Sequence, residues 1–111
     1  MTTIHPEVKV YAGDKWEFRG RLLNPNGTRM NIVDRTIEWA MIDRSKAPIL
    51  VDKATITKLD AVNGEISIVI TKTDTASVAP GRYTDYVRID QETIMWTGQI
   101  VVIATPFTDV A

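Results

Sequence analysis

The sequence predicts an all-β protein, an antiparallel Greek-key β-sandwich of seven to nine short strands. Short segments alternate between apolar and polar residues, as do strands that are buried on one face only. Clusters of Gly, Pro and Asn separate them at intervals of roughly ten residues, a spacing typical of sandwiches. Since no segment is long enough to stand as a helix without packing, the pattern disfavours a parallel α/β sheet.

The most specific signal for this fold is the turn at Pro80 and Gly81, which is followed two residues later by Tyr83. An alternating strand begins there. In immunoglobulin-like sandwiches a tyrosine at this place packs its ring inside and bonds a backbone group a few residues upstream. Trp39, in the third long strand, matches the Trp that packs at the centre of such sandwiches. We therefore expect Pro80, Gly81, Tyr83 and Trp39 to be structural residues of an immunoglobulin-like domain.

Alternation and turn signals define the remaining elements. The predicted strands cover residues 8–11, 15–23, 29–32, 36–43, 49–51, 53–59, 65–71, 82–90 and 93–104. Gly20 falls on the inner face of its strand, which indicates a bulge or room for a large neighbour. The last strand should turn Ile94, Trp96, Gly98, Ile100 and Val102 to one face. Residues 72–78 could form one helical turn, capped by Thr73 or Asp74.

Length and composition exclude several classes of protein. The 111 residues predict one domain, with a core over about 8–104 and flexible tails at 1–6 and 106–111. A net charge of −1 gives no reason to expect nucleic acid or an anionic membrane as a partner. The absence of Cys excludes disulfides and thiolate sites. Residues 1–6 do not read as a secretory signal and no apolar run could span a membrane, so we expect synthesis in the cytoplasm.

Four sequence pieces in this order carry a family resemblance. They are residues 11–14 (Tyr-Ala-Gly-Asp), the Asn-Gly pair at 26–27, residues 61–68 (Ala-Val-Asn-Gly-Glu-Ile-Ser-Ile), and 79–83 (Ala-Pro-Gly-Arg-Tyr) with 98–100 (Gly-Gln-Ile). Together they resemble small immunoglobulin-like domains of tailed phages and prophages, such as the N-terminal domain of upper baseplate proteins. The resemblance spans about residues 8–103. It implies a virion structural protein of the tail or baseplate, whose partners are other virion proteins or further copies of itself.

Catalytic and metal sites find little support in the sequence. The single histidine, His5, falls in the expected tail, where a triad or a metal site would be poorly positioned. Three acidic pairs (Asp43 with Asp52, Asp60 with Glu65, Asp90 with Glu92) lie in turns and lack calcium-loop spacing. We therefore predict no catalytic residue, no metal site and no cofactor.

Asp85 is the exception among the acids, because it shares its strand parity with Tyr83 and Val87 and should point inward. A buried carboxylate needs a partner, which could be a Thr, a Trp N–H or an Arg. The alternative is a pocket that holds a functional acid.

The last strand is apolar on both faces near its end, which predicts contact with another molecule. Thr97, Gln99, Val101 and Ile103 are therefore the candidate face for self-association or docking. We predict a non-enzymatic structural or interaction module. The alternative is a carbohydrate-binding or adhesion module, in which Trp16, Trp39 or Trp96 would have to be exposed to stack on a sugar.

Overall fold

The computed structural model describes residues 3–106, which form two β-sheets packed face to face. The strands are β1 (Thr3–Ile4), β2 (Val8–Tyr11), β3 (Trp16–Arg21), β4 (Ile37–Ile42), β5 (Pro48–Val51), β6 (Thr55–Asp60), β7 (Glu65–Ile70), β8 (Gly81–Ile89) and β9 (Thr93–Ile103). A single 3-10 turn (Ala61–Asn63) joins β6 to β7, and the short helix α1 (Lys72–Thr75) follows β7. The predicted all-β sandwich is confirmed.

The six-stranded sheet, here sheet A, has the order β1–β9–β8–β4–β5, and β2 also pairs with β9. Both β1 and β2 run parallel to β9, whereas the other pairs are antiparallel. Sheet B contains β3, β7 and β6 in that order, all antiparallel. The chain passes from sheet B to sheet A between β7 and β8, and the corner that holds Tyr83 lies at this crossing.

The two sheets enclose one core because most of their residues alternate between the inner and the outer face. The largest fully buried side chains include Trp16 and Ile70 from sheet B and Trp39, Met41 and Val87 from sheet A. Burial of a side chain of this size contributes about 1.5–3 kcal/mol, and ordering the chain opposes most of that sum. Phe18 stacks on Trp39 across the core, with 6.4 Å between ring centroids. The sandwich is therefore held by inward-facing residues of both sheets.

Three local predictions differ from the structure. The expected tail over 1–6 contains β1 and a partly buried His5, while residues 107–111 of the other expected tail lie outside the described residues. The strand expected over 29–32 is reduced to one bridge between Leu23 and Arg29. Ile94 points outward, opposite Arg88, because the pairing of β8 with β9 shifts by one residue between Val87 and Arg88.

Helix α1 lies within the predicted span, but its N-cap is Thr71 rather than Thr73 or Asp74. The Thr71 side chain accepts a hydrogen bond from the backbone N–H of Asp74. Thr75, the buried residue of this turn, donates its hydroxyl to the backbone oxygen of Asp14 at 2.6 Å. That bond attaches the connection between the sheets to the start of β3.

Gly20 makes room for a tryptophan, as its place on the inner face of β3 indicates. A Cβ built on Gly20 would lie 2.4 Å from the Cη2 atom of Trp96. Contacts this short force the larger side chain to move. The absence of a side chain at Gly20 therefore lets the Trp96 ring of sheet A lie against sheet B.

We predict that Gly20→Ala lowers the free energy of unfolding by about 1–3 kcal/mol, the usual range for overpacking. Denaturant unfolding of the purified variant measures this change. Adding Trp96→Leu should recover part of the loss, because the smaller side chain leaves space for the new methyl group. Equal losses with and without Trp96→Leu would contradict the assigned contact.

Candidate functional site

The corner before β8 has the geometry that the sequence predicts. The Tyr83 ring is buried, and its hydroxyl donates a hydrogen bond of 2.5 Å to the backbone oxygen of Ala79, four residues upstream. Gly81 supplies a φ of 156° within the turn. Burial, and secondarily the nearby charge of Asp43, raises the pKa of Tyr83 above its ordinary value. The corner is a structural feature, and it fixes the start of β8.

Two residues beyond Tyr83, the Asp85 side chain points inward and is only 6% exposed. In antibody domains this position carries the second cysteine of the disulfide that joins the sheets. Here the indole N–H of Trp39 donates to Oδ2 of Asp85 at 3.1 Å. A Trp N–H was one of the partners expected from the sequence. Asp85 and Trp39 thus connect β8 to β4 beneath the core.

His5 supplies the second partner of Asp85, which the sequence analysis missed. Its Nε2 lies 2.5 Å from Oδ1 of Asp85, and its Nδ1 lies 2.7 Å from the backbone oxygen of Pro6. The His5 side chain is 11% exposed. The prediction that this histidine lies in a loose tail is therefore wrong, because the backbone of β1 carries it back onto β9.

The space for the imidazole comes from Gly98, which is paired with Asp85 across the sheet. A Cβ on Gly98 would lie 2.3 Å from the His5 ring. The imidazole also meets Trp96 edge to face, with 5.5 Å between centroids. A cavity of about 320 Å³ opens beside this group, and Phe18, Glu17 and Arg19 of β3 line its far wall.

This arrangement resembles the His–Asp half of a hydrolase triad, but it leaves the histidine no free nitrogen. Both ring nitrogens of His5 already have partners within hydrogen-bond distance. A general base needs one nitrogen in reach of the nucleophile. The nearby Thr97 hydroxyl donates instead to the backbone oxygen of Asp85 at 2.9 Å. The geometry is that of a structural pair.

The predicted interaction residues lie on the outer face of sheet A. Gln99 is exposed, whereas Thr97, Val101 and Ile103 are half-buried. The neighbouring strands cover both edges of β9, so these side chains present a sheet face rather than a strand edge. One row of this face crosses five strands, and it consists of Ile4, Thr97, Tyr86, Ala40 and Val51.

Exposed large apolar side chains concentrate on this face. Five of the eight within residues 3–106 lie here, namely Ile4 (78% exposed), Tyr11, Ile49, Val51 and Ile94, whereas Val33, Leu59 and Val62 lie elsewhere. A groove of about 300 Å³ lies on this face, and its lining includes Tyr86 and the ion pair of Arg88 with Glu38. A contiguous apolar surface that is exposed to solvent often marks a site of interaction with another molecule.

The outer face of sheet B differs in composition. There β3 presents Glu17, Arg19 and Arg21, and Arg21 donates to Glu65 of β7 at 2.9 Å. Thr55 and Thr57 of β6 continue the polar surface. The two outer faces therefore have different chemistry, and only that of sheet A combines aromatic and aliphatic side chains across several strands.

The acids that the sequence offered as pairs bind their own turns instead. Asp43 accepts from Ser45 and Ala47, and its bond from the Ser45 hydroxyl is the main cause that lowers its pKa. The side chain of Asn63 lowers the pKa of Asp60 in the same way. Within residues 3–106, no group of three or more His, Asp or Glu side chains could hold a metal ion.

Asp90 is the third acid of this kind. It accepts from the backbone N–H of Thr36 and from Arg35, and these two bonds, the backbone bond first, lower its pKa. The contact joins the loop before β4 to the turn after β8. These acids therefore stabilise turns at neutral pH.

No family model and no curated protein matches this chain. Among solved structures, it is similar to the Lin-41 filamin domain, with 15% identity over 83% of this chain and 81% of that one and a TM-score of 0.50. It is also similar to part of a family 123 glycoside hydrolase from Clostridium perfringens, with 11% identity and a TM-score of 0.52. The match covers 97% of this chain but 24% of the hydrolase.

Identities this low show the fold alone. None of the helical segments within residues 3–106 is long and apolar enough to cross a membrane. Over residues 3–106 the structure forms a nine-stranded, immunoglobulin-like β-sandwich, and the similarity to the filamin domain agrees with that fold.

We predict that Tyr83→Phe lowers the free energy of unfolding by about 0.5–1.5 kcal/mol near neutral pH, through the loss of the bond to Ala79. Tyr86→Phe, the same change on the outer face of sheet A, should have a smaller effect.

The raised pKa of Tyr83 adds a pH dependence. A folded-state pKa above the unfolded value means that the folded protein keeps a proton the unfolded chain loses, so stability should fall as the pH rises through the alkaline range. Denaturant unfolding at several alkaline pH values should show a shallower fall for Tyr83→Phe. Parallel profiles for wild type and variant would count against the corner's role.

Proposed function

We propose that this chain acts as one non-enzymatic interaction module, and that it associates through the outer face of sheet A with a second copy of itself. The observation that carries the proposal is the contrast between the two outer faces. Sheet B is mainly polar and charged outside, with Leu59 of β6 as an exposed apolar residue, whereas sheet A presents Ile4, Tyr11, Val51 and Ile94 to solvent. Association would remove this apolar area from water, which is the main favourable term in most protein interfaces.

The charges around the face are balanced, which favours a second copy of the chain over a partner with a strong net charge of one sign. Arg88 pairs with Glu38 at one end of the face, and Arg82 pairs with Glu7 near the other. Lys9 adds a positive charge beside Val101, and Asp52 adds a negative charge at the far strand. A nearly neutral face meets its own copy without strong repulsion.

The non-enzymatic part of the proposal is supported by the His5–Asp85 pair, the arrangement here that most resembles catalytic machinery. Both ring nitrogens of His5 are bonded within the chain. Release of Nε2 for catalysis would leave the buried Asp85 carboxylate without its histidine partner.

The virion context is a narrower proposal, and the resemblance to phage and prophage domains supports it. In that setting the module would join tail or baseplate proteins during assembly. Flanking genes that encode tail and baseplate proteins would support this context, as would detection of the chain in purified particles. Flanking metabolic genes and particles free of the chain would contradict it.

A glycan-binding function is the second candidate, and the groove beside Tyr86 favours it. The tryptophans do not form the expected platform, because Trp16 and Trp39 are each 2% exposed and His5 covers Trp96. Tyr86 could instead stack on a sugar, with Glu38 and Arg88 as polar partners. Binding on a glycan array that is lost in Tyr86→Ala would establish this function, and an array without binders would remove it.

We predict that Val101→Lys abolishes self-association, because it adds a further positive charge to the half-buried position between Lys9 and Arg82, where contact with a second copy would take that charge out of water. Sedimentation velocity over a range of concentrations measures the assembly state. The wild-type protein should form dimers at high concentration, whereas the variant should remain monomeric at the same concentrations.

Val69→Lys is the matched control, since Val69 is equally half-buried on the outer face of sheet B. It should associate like the wild type. A wild-type protein that stays monomeric at every concentration would contradict the proposed copy-to-copy contact. Equal loss of association in both variants would contradict the assignment to sheet A.

A further inference from the structure

The geometry points to a proton-operated latch, in which His5 and Asp85 hold the N-terminal strand β1 on β9 and release it when the pair gains or loses a proton. The inference goes beyond the proposed association, because it concerns how residues 3–7 stay attached to the domain. It depends on the hydrogen-bond partners of the two side chains.

The number of protons that the pair can hold follows from its neighbours. The Pro6 backbone oxygen can only accept, so Nδ1 of His5 must carry a hydrogen. The Trp39 indole can only donate, so Oδ2 of Asp85 must accept. One further proton lies between Nε2 and Oδ1, which are 2.5 Å apart. Every donor then meets an acceptor.

Loss of one proton breaks this match. A neutral His5 keeps a single N–H, so one ring nitrogen presents a lone pair either to the Asp85 carboxylate or to the Pro6 oxygen. Whichever contact receives the lone pair then joins two acceptors at hydrogen-bond distance, which is repulsive in a partly buried site. The latch should therefore open on the alkaline side.

Gain of one proton breaks the match in the opposite sense. A protonated Asp85 has less capacity to accept from both His5 and Trp39, because its new O–H is itself a donor. The neutral carboxyl also no longer balances the imidazolium charge. The latch should also open on the acidic side, so that docking is strongest at intermediate pH.

The other charged groups near the pair are few. From β3, Glu17 and Arg19 line the cavity beside it, and they lie 3.4 Å from each other. Glu7, in the link after β1, pairs with Arg82 of β8. The residues of β9 and β4 that face the pair, Trp96, Gly98 and Trp39, carry no charge.

Little else holds β1 in place. Its ladder with β9 comprises two residue pairs, Thr3 with Trp96 and Ile4 with Thr97. The His5 backbone N–H adds one bond to the oxygen of Thr97 at 2.9 Å. Ile4 is largely exposed. The side chain of His5 is therefore the main buried anchor of this segment.

Nuclear magnetic resonance on the full-length protein tests the latch directly, because His5 is the single histidine of the chain. Overhauser contacts between its ring and the α-protons of Gly98 report docking. Contacts between Trp96 and the α-protons of Gly20 report the intact core in the same spectra. Spectra recorded at pH values from roughly 4 to 9 cover both the acidic and the alkaline side of neutrality.

In the wild-type protein, the His5–Gly98 contacts should weaken on both sides of an intermediate maximum while the Trp96–Gly20 contacts persist. The docked population should fall relative to the open one by about ten- to a hundredfold on each side, the range expected for loss of one hydrogen bond to a charged group.

Asp85→Asn is the matched variant, because its amide can donate to an unprotonated Nε2 and still accept from Trp39. The latch of this variant should stay closed on the alkaline side and open only on the acidic side. Wild-type contacts that persist unchanged across the range would overturn the latch, and so would an Asp85→Asn profile identical to that of the wild type. If Asp85→Asn failed to fold, the two-sided wild-type profile would still decide the question.

Discussion

A carboxylate buried between two sheets is the constraint on which the centre of this molecule depends. Asp85 lies where many immunoglobulin domains place a disulfide cysteine, and it cannot stay charged there without partners. Trp39 donates from β4, and His5 reaches it from the N-terminal strand. A polar cluster thus connects three strands of sheet A in a chain that contains no cysteine.

Two glycines make this cluster possible. Gly98 leaves room for the imidazole, and Gly20 leaves room for the indole of Trp96 that packs against that imidazole. Each glycine weakens its strand slightly, because it adds backbone entropy and no side-chain packing. The two glycines thereby allow the N-terminal segment to bind and the core to close. Most of the exposed apolar side chains lie on the outer face of sheet A.

The fold could be predicted from the sequence because the patterns that indicate it are local. Alternation, the paired Asn-Gly turns and the corner at Tyr83 each involve residues close together in the chain. The one-residue shift in the pairing of β8 with β9 reversed the expected direction of Ile94, and such a shift cannot be recognised from simple alternation in the sequence. His5 was missed because its partner is 80 residues away and β1 has only two residues. One signal in the sequence could have pointed to it. Alternation places the Asp85 side chain inside, and Gly98 on the next strand has no side chain, so a residue from another part of the chain could fill the space.

The coupling free energy between His5 and Asp85 tests most directly whether the two side chains bond to each other in the folded protein. A double-mutant cycle with His5→Ala, Asp85→Ala and both together gives that coupling from three changes in the free energy of unfolding. The structure predicts a coupling of about 1.5–3 kcal/mol near neutral pH, the range for a hydrogen bond to a charged group. Single changes that add to the double change within about 0.5 kcal/mol would show that the two side chains do not interact.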